Sequence, residues 1–426
     1  MKTQNKTFMF LYDAMDIGGI ETYLVRLIRQ LKENGNRVIW LCPANRYIDD
    51  GFKNDLLDGY VEIIEIKNRG FHWIKHAQID FNMGEEVIAL AFDPFNYLRL
   101  ETIKKEYIGI RIDSFYWVPH FEGKNYFIEE MVGWPVRPVI HKFIGEIIKD
   151  MEKNDNIYYL NRSHLEAYIN RYDYKVDNEK AKLSGYGTRE VLPYDNKLAL
   201  KRSIRNEFNI ITVGRFEFPH KAYILGLIKV YGELKDKYSQ IKLTIIGYGI
   251  DENKVLDQIE KLSPEAKKDI NLVGKVPYDN LPSYFENAHL NIGVAGTIAE
   301  GALTGLISIP VRHYSEACEG YGYLPESSKK TTASEPGIPI QKFIEEVIAM
   351  NQEEYLELSR NAYDTYANNN VTNNILSILK CNNRDVSKTI SNKAINFIKI
   401  YNVLARIILK IKREIRKITR NTLRYN

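Results

Sequence analysis

Cysteine is scarce in this chain: three residues in 426, Cys42, Cys318 and Cys381, odd in number and without any CxxC spacing. That scarcity excludes a disulfide framework and a thiolate metal cage, and it fits a reducing compartment. Long apolar runs are missing as well. No stretch reaches the roughly 18 uninterrupted apolar residues that span a bilayer, and the apolar run before Asp13 is too short for a secretory signal. The expected location is therefore cytoplasmic, with any membrane contact peripheral. Several reactive signatures are absent too: no GxxxxGK[ST] phosphate loop, no HExxH, no GxSxG elbow, no aspartate pair separated by one residue, and no complete GxGxxG. The histidines show no metal-ligand spacing, so neither a metal nor another cofactor is expected.

What remains is an ordinary globular composition, 44% hydrophobic and 27% charged with a formal net charge of +4. The length is too great for one core and points to two domains. The first half alternates short apolar strands with amphipathic segments. Strands are expected at Phe8–Tyr12, Val38–Cys42, Val61–Ile66, Glu86–Phe92 and Ser114–His120, with a helix over Glu21–Asn34 closed by Gly35. "IYYLNRSHLEAYI" starts as a strand at Ile157 and turns helical near Ser163. After the polar stretch "GTREVLPYDNKLALKRSIRN", which reads as a linker, a second series begins: strand "FNIITVGRF", helix "AYILGLIKVYGELKDKY", strand "IKLTIIGYGID", helix "VLDQIEKLSPEAKK", and strands "INLVGKV", "LNIGVAG" and "ISIPVR" with helical segments between them. Such alternation implies parallel sheets covered on both faces. The expected class is α/β, two Rossmann-like doubly wound domains facing a cleft, with ligands beyond the carboxyl ends of the strands. The expected divisions are residues 1–195, 196–340, a helical segment 341–380 packing back across the domains, and a tail 381–426.

The tail has its own chemistry. From Lys388 onward it carries eleven Lys/Arg and one acidic residue, Glu414. At helical spacing Ile400, Val403, Leu404, Ile407, Ile408, Ile411, Ile415 and Ile418 share one arc, opposite Lys399, Arg406, Lys410, Arg413, Lys417 and Arg420. An apolar stripe backed by a basic face suits a helix lying on an anionic membrane, through residues 388–426. A helix packed on a partner with its basic side solvated is the plainer alternative. No basic, aromatic-interleaved surface elsewhere suggests nucleic acid.

Two short stretches point to a phosphorylated ligand. Gly18 and Gly19 stand between the first strand and the first helix, where a bare backbone lets an anion approach a helix N-terminus. "VGRFEFPHK" (Val213–Lys221) ends a strand in Gly214 and follows it with Arg215, a planar fork for phosphate oxygens, and Lys221, a mobile point charge. Both cations are otherwise ordinary surface charges at a strand–helix junction.

The order of these stretches resembles the retaining family 4 type of glycosyltransferase, of GT-B fold. Gly18, Gly19, Ile20 and Glu21 match that family's GG-x-E loop. Val213, Gly214, Arg215 and Lys221 match its V-G-R-x4-K, with one extra residue in the loop. Ile245–Gly249 matches I-x-G-x-G, and "GKVPYDNLPSYFENAHL" the following segment. The resemblance spans most of residues 6–312. It implies a metal-independent transfer of a sugar from a nucleotide-sugar donor. Arg215 and Lys221 would stabilise the departing diphosphate, and His120 would stand beside donor sugar and acceptor. Gly18, Gly19, Gly247 and Val276 would line the nucleotide, and Glu300 would contact its ribose. One departure stands out: the family's first glutamate falls at Ile292, and the loop "GVAGT" holds no carboxylate. Gly296 and Thr297 are expected to replace it with backbone N–H groups and a hydroxyl. With the tail, the resemblance implies a saccharide acceptor, lipid-linked, in bacterial surface polysaccharide (capsule-type) synthesis. A catalytically inactive binding subunit and a sugar-nucleotide epimerase on the same architecture remain alternatives.

Overall fold

The computed structural model describes residues 6–66, 79–118, 137–176, 182–183 and 191–367, apart from residues 17, 44–45, 54–55, 57–58, 60, 108, 161, 205, 331–332 and 334. Two compact units emerge, the second beginning at Tyr186. The predicted tail, 381–426, and His120 lie outside the described residues. Among the described residues no helix is long and apolar enough to cross a membrane.

The first unit runs β1 (Thr7–Leu11), α1 (Gly19–Glu33), β2 (Arg37–Pro43), β3 (Glu62–Ile66), β4 (Glu86–Ala91), α2 (Pro94–Glu106), β5 (Arg111–Val118), α3 (Arg137–Lys153), β6 (Ile157–Tyr159) and α4 (Arg162–Tyr172). Its six strands pair in parallel in the order β3-β2-β1-β4-β5-β6. Every residue of β1 is buried, as a strand covered on both faces requires. Helix α1 buries Tyr23, Leu24, Leu27, Ile28 and Leu31, its i, i+3/i+4 stripe, and Tyr23 stacks on Trp117 at 4.4 Å between ring centres. It ends as the sequence foretold. Gly35 takes φ 76°, its N–H donates to Lys32 O, and the Asn36 N–H donates to Leu31 O, a Schellman closure.

The second unit runs α5 (Asn196–Ser203), β7 (Phe208–Val213), α6 (Tyr223–Lys235), β8 (Ile241–Ile246), α7 (Glu252–Glu260), α8 (Pro264–Lys268), β9 (Ile270–Gly274), α9 (Leu281–Glu286), β10 (Leu290–Gly293), α10 (Gly296–Ala302), β11 (Ser308–Pro310), α11 (Ile340–Ala349) and α12 (Gln352–Ala367). Its main sheet is parallel, in the order β11-β10-β7-β8-β9. Lys235, at the end of α6, buries its ammonium against Asp269 (2.5 Å) and the carbonyls of Ser239 and Ile241. That contact fixes the turn into β8.

Three expectations change. The stretch read as a linker contains α5, capped by Asp195, whose Oδ1 accepts from the Lys197 and Leu198 N–H groups at 2.9 and 3.0 Å. Residues before 196 also belong to the second unit: Tyr363 donates to Leu192 O (2.8 Å), and Tyr194 shares a hydrogen bond with Ser359 (2.9 Å). The single helix expected over "VLDQIEKLSPEAKK" breaks into α7 and α8, because Ser263 caps and Pro264 starts a new first turn. Finally, α11 and α12 are integral to the second unit. Tyr355 of α12 is fully buried and donates to His289 O at 2.9 Å. The remainder of 341–380 lies outside the described residues.

Candidate active site

In each sheet the strand order reverses at one place, between β1 and β4 in the first unit and between β7 and β10 in the second. Ligands of doubly wound sheets bind beyond such switch points. The loop leaving β7 carries Arg215 and Lys221, and the loop leaving its neighbour β10 leads into α10 with Gly296, Thr297 and Glu300. Gly247 and Val276 follow β8 and β9. All seven therefore stand at the carboxyl edge of one sheet.

The glycine of "VGR" has a local cause. A Cβ on Gly214 would stand 2.9 Å from Lys221 Cδ, so the lysine stem crosses the bare backbone and brings its ammonium back to the strand end. Gly247 has a similar one: a Cβ there would overlap Gly214 O and the Phe216 ring. Glycine at 247 is thus required by loop packing before any ligand is considered. The longer loop is tied by Asp251, whose Oδ2 accepts from Phe218 N–H at 2.7 Å. Val276 is half-buried against Ile211, Val213, Ile246 and Phe285.

Arg215 is partly exposed, with Nη1 3.4 Å from Glu217 Oε1. Lys221 has no ion-pair or hydrogen-bond partner for its ammonium among the described residues. Burial, and then the neighbouring Arg215 charge, push its pKa down to about 8, with Glu217 opposing weakly. Two cations crowded together, one of them desolvated, favour an incoming anion that binds both.

Around α10 the backbone is strained. Ala295 takes φ 52°, ψ −130°, a conformation that side chains other than glycine's rarely adopt. The Thr297 hydroxyl donates to Val294 O at 2.9 Å. Its proton is thus bonded within the chain, while its oxygen keeps acceptor capacity. No atom lies within 4 Å of a Cβ placed on Gly296, so the space beside it is open. Glu300 is 6% exposed, and its Oε1 accepts from the Tyr278 hydroxyl at 2.8 Å. It is a held carboxylate and not a solvated one.

In the first unit, Gly18 caps α1 in an extended conformation, and a Cβ there would overlap the Glu21 carboxylate. Tyr12 donates to Glu21 Oε1 at 2.7 Å. The α1 N-terminus therefore already holds a carboxylate of its own, which accounts for Gly18 without a phosphate; the space beside Gly19 is open.

Sequence reasoning missed Tyr278, Asn291 and Arg202. Tyr278 and Arg202 stand in polar stretches whose pattern gives no hint of a partner, and Asn291 is a single polar residue in an apolar strand whose partners lie beyond the strand.

A two-unit α/β chain with parallel sheets of these orders and a cation pair at a switch point has the GT-B architecture. Residues 198–299, within the second unit, match the family model described as "Glycosyl transferases group 1". No curated protein matches the sequence. Solved structures of similar fold include Anabaena Alr3699/HepE in complex with UDP and glucose (12% identity, covering 88% of this chain and 99% of that one, TM-score 0.60). A glycosyltransferase from Rickettsia africae (14%, 89% and 100%, 0.58) and WaaG, a glycosyltransferase involved in lipopolysaccharide biosynthesis (14%, 88% and 100%, 0.56), are also similar.

Proposed function

We propose that the protein transfers a hexose from a nucleotide-sugar donor to a saccharide acceptor, with retention of configuration and without a metal. The observation that carries this reading is the Arg215–Lys221 pair at the switch point of the second unit. As the glycosidic bond breaks, negative charge grows on the leaving diphosphate, and fixed positive groups stabilise that charge directly. Glu300 takes the ribose, Val276 and Gly247 lie beside the nucleotide, and the Gly296 N–H reaches a phosphate. The first unit, with His120, is assigned the acceptor. Retention rests on the family resemblance alone.

A thermal-shift screen of the full chain against UDP-, GDP-, ADP- and dTDP-sugars tests the reading. At a ligand concentration of about 100 Kd the stabilisation is about 2.7 kcal/mol, a shift of a few degrees. No shift with any donor or free nucleotide would refute it. A specific observation supports a second reading, a binding subunit without turnover: the position of the missing first glutamate is Ile292, wholly buried in β10. Sugar transfer by the purified chain discriminates between the two.

The acceptor proposal rests on the tail. A basic amphipathic helix would hold the protein at an anionic leaflet beside lipid-linked saccharides, the setting of surface polysaccharide synthesis. WaaG, of similar fold, acts in such a process. Deleting residues 388–426 is expected to abolish sedimentation with phosphatidylglycerol vesicles while sparing donor binding; undiminished sedimentation would remove the membrane assignment.

A further inference from the structure

The loop between β7 and α6 sets a carboxylate of its own beside the cation pair. Both neighbours of that residue, Glu217, are pinned to the loop that follows β8. Phe216 is 0% exposed; its N–H donates to Tyr248 O at 2.8 Å, and its carbonyl accepts from the Asp251 N–H at 3.0 Å. Phe218 N–H donates to Asp251 Oδ2 at 2.7 Å. Glu217 is bonded at both of its own backbone groups. Its N–H donates to Arg215 O at 2.9 Å, and its carbonyl accepts from the Lys221 N–H at 3.3 Å. The Glu217 backbone is thus tied to the residues that bear both cations, and only side-chain torsions remain to be fixed when its Oε1 stands 3.4 Å from Arg215 Nη1. Asp251 is not available for that part, being held already by Lys254 at 2.8 Å and by the Phe218 N–H.

A carboxylate and a phosphate offer a guanidinium the same kind of charged acceptor. In the free protein Glu217 therefore stands on Arg215 where a phosphate oxygen would, and its charge is felt by the Lys221 ammonium as well. We propose that Glu217 is a tethered competitor of the diphosphate: it pairs with Arg215 in the free protein, gives way when a diphosphate spans both cations, and takes Arg215 back as the product leaves. Loss of the sugar frees a further phosphate oxygen to ionise, so the diphosphate product is more anionic than the donor and is held harder by two fixed cations. A competing carboxylate on a short tether weakens that hold and keeps the product from blocking the next turnover. The proposal rests on the diphosphate reading of Arg215 and Lys221 above and adds to it the group that opposes them.

Apparent affinity falls with the fraction of molecules in which Arg215 is engaged. The two side chains are 36% and 45% exposed, and a pair in that setting favours the closed state only a few-fold. Calorimetric titration of the full chain tests the proposal at roughly 0.15 M salt, where distant fields are largely screened. The probes are inorganic pyrophosphate and the tightest-binding of UDP, GDP and ADP. The variants are Glu217→Gln, Glu217→Ala and, as a control, Glu252→Gln, an exposed carboxylate in the first turn of α7 that pairs with neither cation. Both Glu217 variants are expected to bind both probes about threefold more tightly than wild type, with Glu252→Gln unchanged. Unchanged or weaker binding in both Glu217 variants would overturn the proposal. Tightening by Gln alone would do the same, since it marks a new bond from the amide, as would equal tightening in Glu252→Gln, which marks general repulsion. A wild type that binds the probes but is indifferent to Glu217 sinks this inference alone. If neither wild type nor the Glu217 variants bind either probe, the donor reading goes with it.

Discussion

Arg215→Ala is expected to lower turnover by about 10²-fold or more, the loss that follows removal of one fixed donor to transition-state charge. Near-normal turnover with any accepted donor would refute the assignment. The neighbouring lysine supplies an internal control. The Lys221 pKa is pushed down to about 8, first by burial and second by Arg215. Only the protonated ammonium grips a phosphate, so diphosphate affinity should fall as the pH rises through about 8. Taking away Arg215 removes a like charge, and that fall should then begin at higher pH. Folding responds with the opposite sign. The folded-state pKa lies below the ordinary lysine value, so keeping the proton costs the fold stability below pH 8, and the cost disappears as the pH rises from there. Binding and folding titrations that move in opposite directions would tie both effects to this one ammonium.

Arg202→Ala is expected to destabilise the second unit by about 3 kcal/mol or more. Arg202 is 2% exposed. Its guanidinium donates to Thr304 O at 2.7 Å, Phe285 O at 2.8 Å and Thr304 Oγ1 at 3.3 Å. Phe285 lies in the last turn of α9, and Thr304 just beyond α10. The carbonyls at helix C-termini lack intrahelical partners and carry the negative end of the dipole. One buried cation therefore caps two helices, which explains how it survives burial without a bonded carboxylate. Burial lowers its pKa from the ordinary value. Arg202→Met separates volume from bonding: it fills most of the space yet restores none of the three lost hydrogen bonds, and it should recover little. Native-state hydrogen exchange of the β7–β11 amides in the full chain reads the loss. A change below about 1 kcal/mol would show that water takes over the caps.

The sheet architecture was legible because parallel strands covered on both faces leave continuous apolar runs, as in "TFMFL" and "EVIALA". Gly35 and the "VGR" turn were legible because glycine there answers a local steric demand. Other features have no local signature. Helix α5 was hidden because "NKLALKRS" is short and its key contact is a long-range arginine. The break at Ser263-Pro264 carried a cap signal that the surrounding helical periodicity masked. Gly18 and Gly247 illustrate a different limit. A glycine that admits a ligand and one that admits a neighbouring side chain or loop look alike in sequence, and only the surrounding atoms tell them apart.

The two reversal points also differ in sign. Beyond β1 and β4 stand Asp13, Asp93 and the Glu21 carboxylate held by Tyr12, with Arg99 among them under the fields of both aspartates. Beyond β7 stand Arg215 and Lys221. A polyanion is drawn to one edge and repelled from the other, whereas an uncharged polyol meets hydroxyl-accepting carboxylates at the first. A phosphorylated ligand therefore meets opposite potentials at the two edges before it touches either.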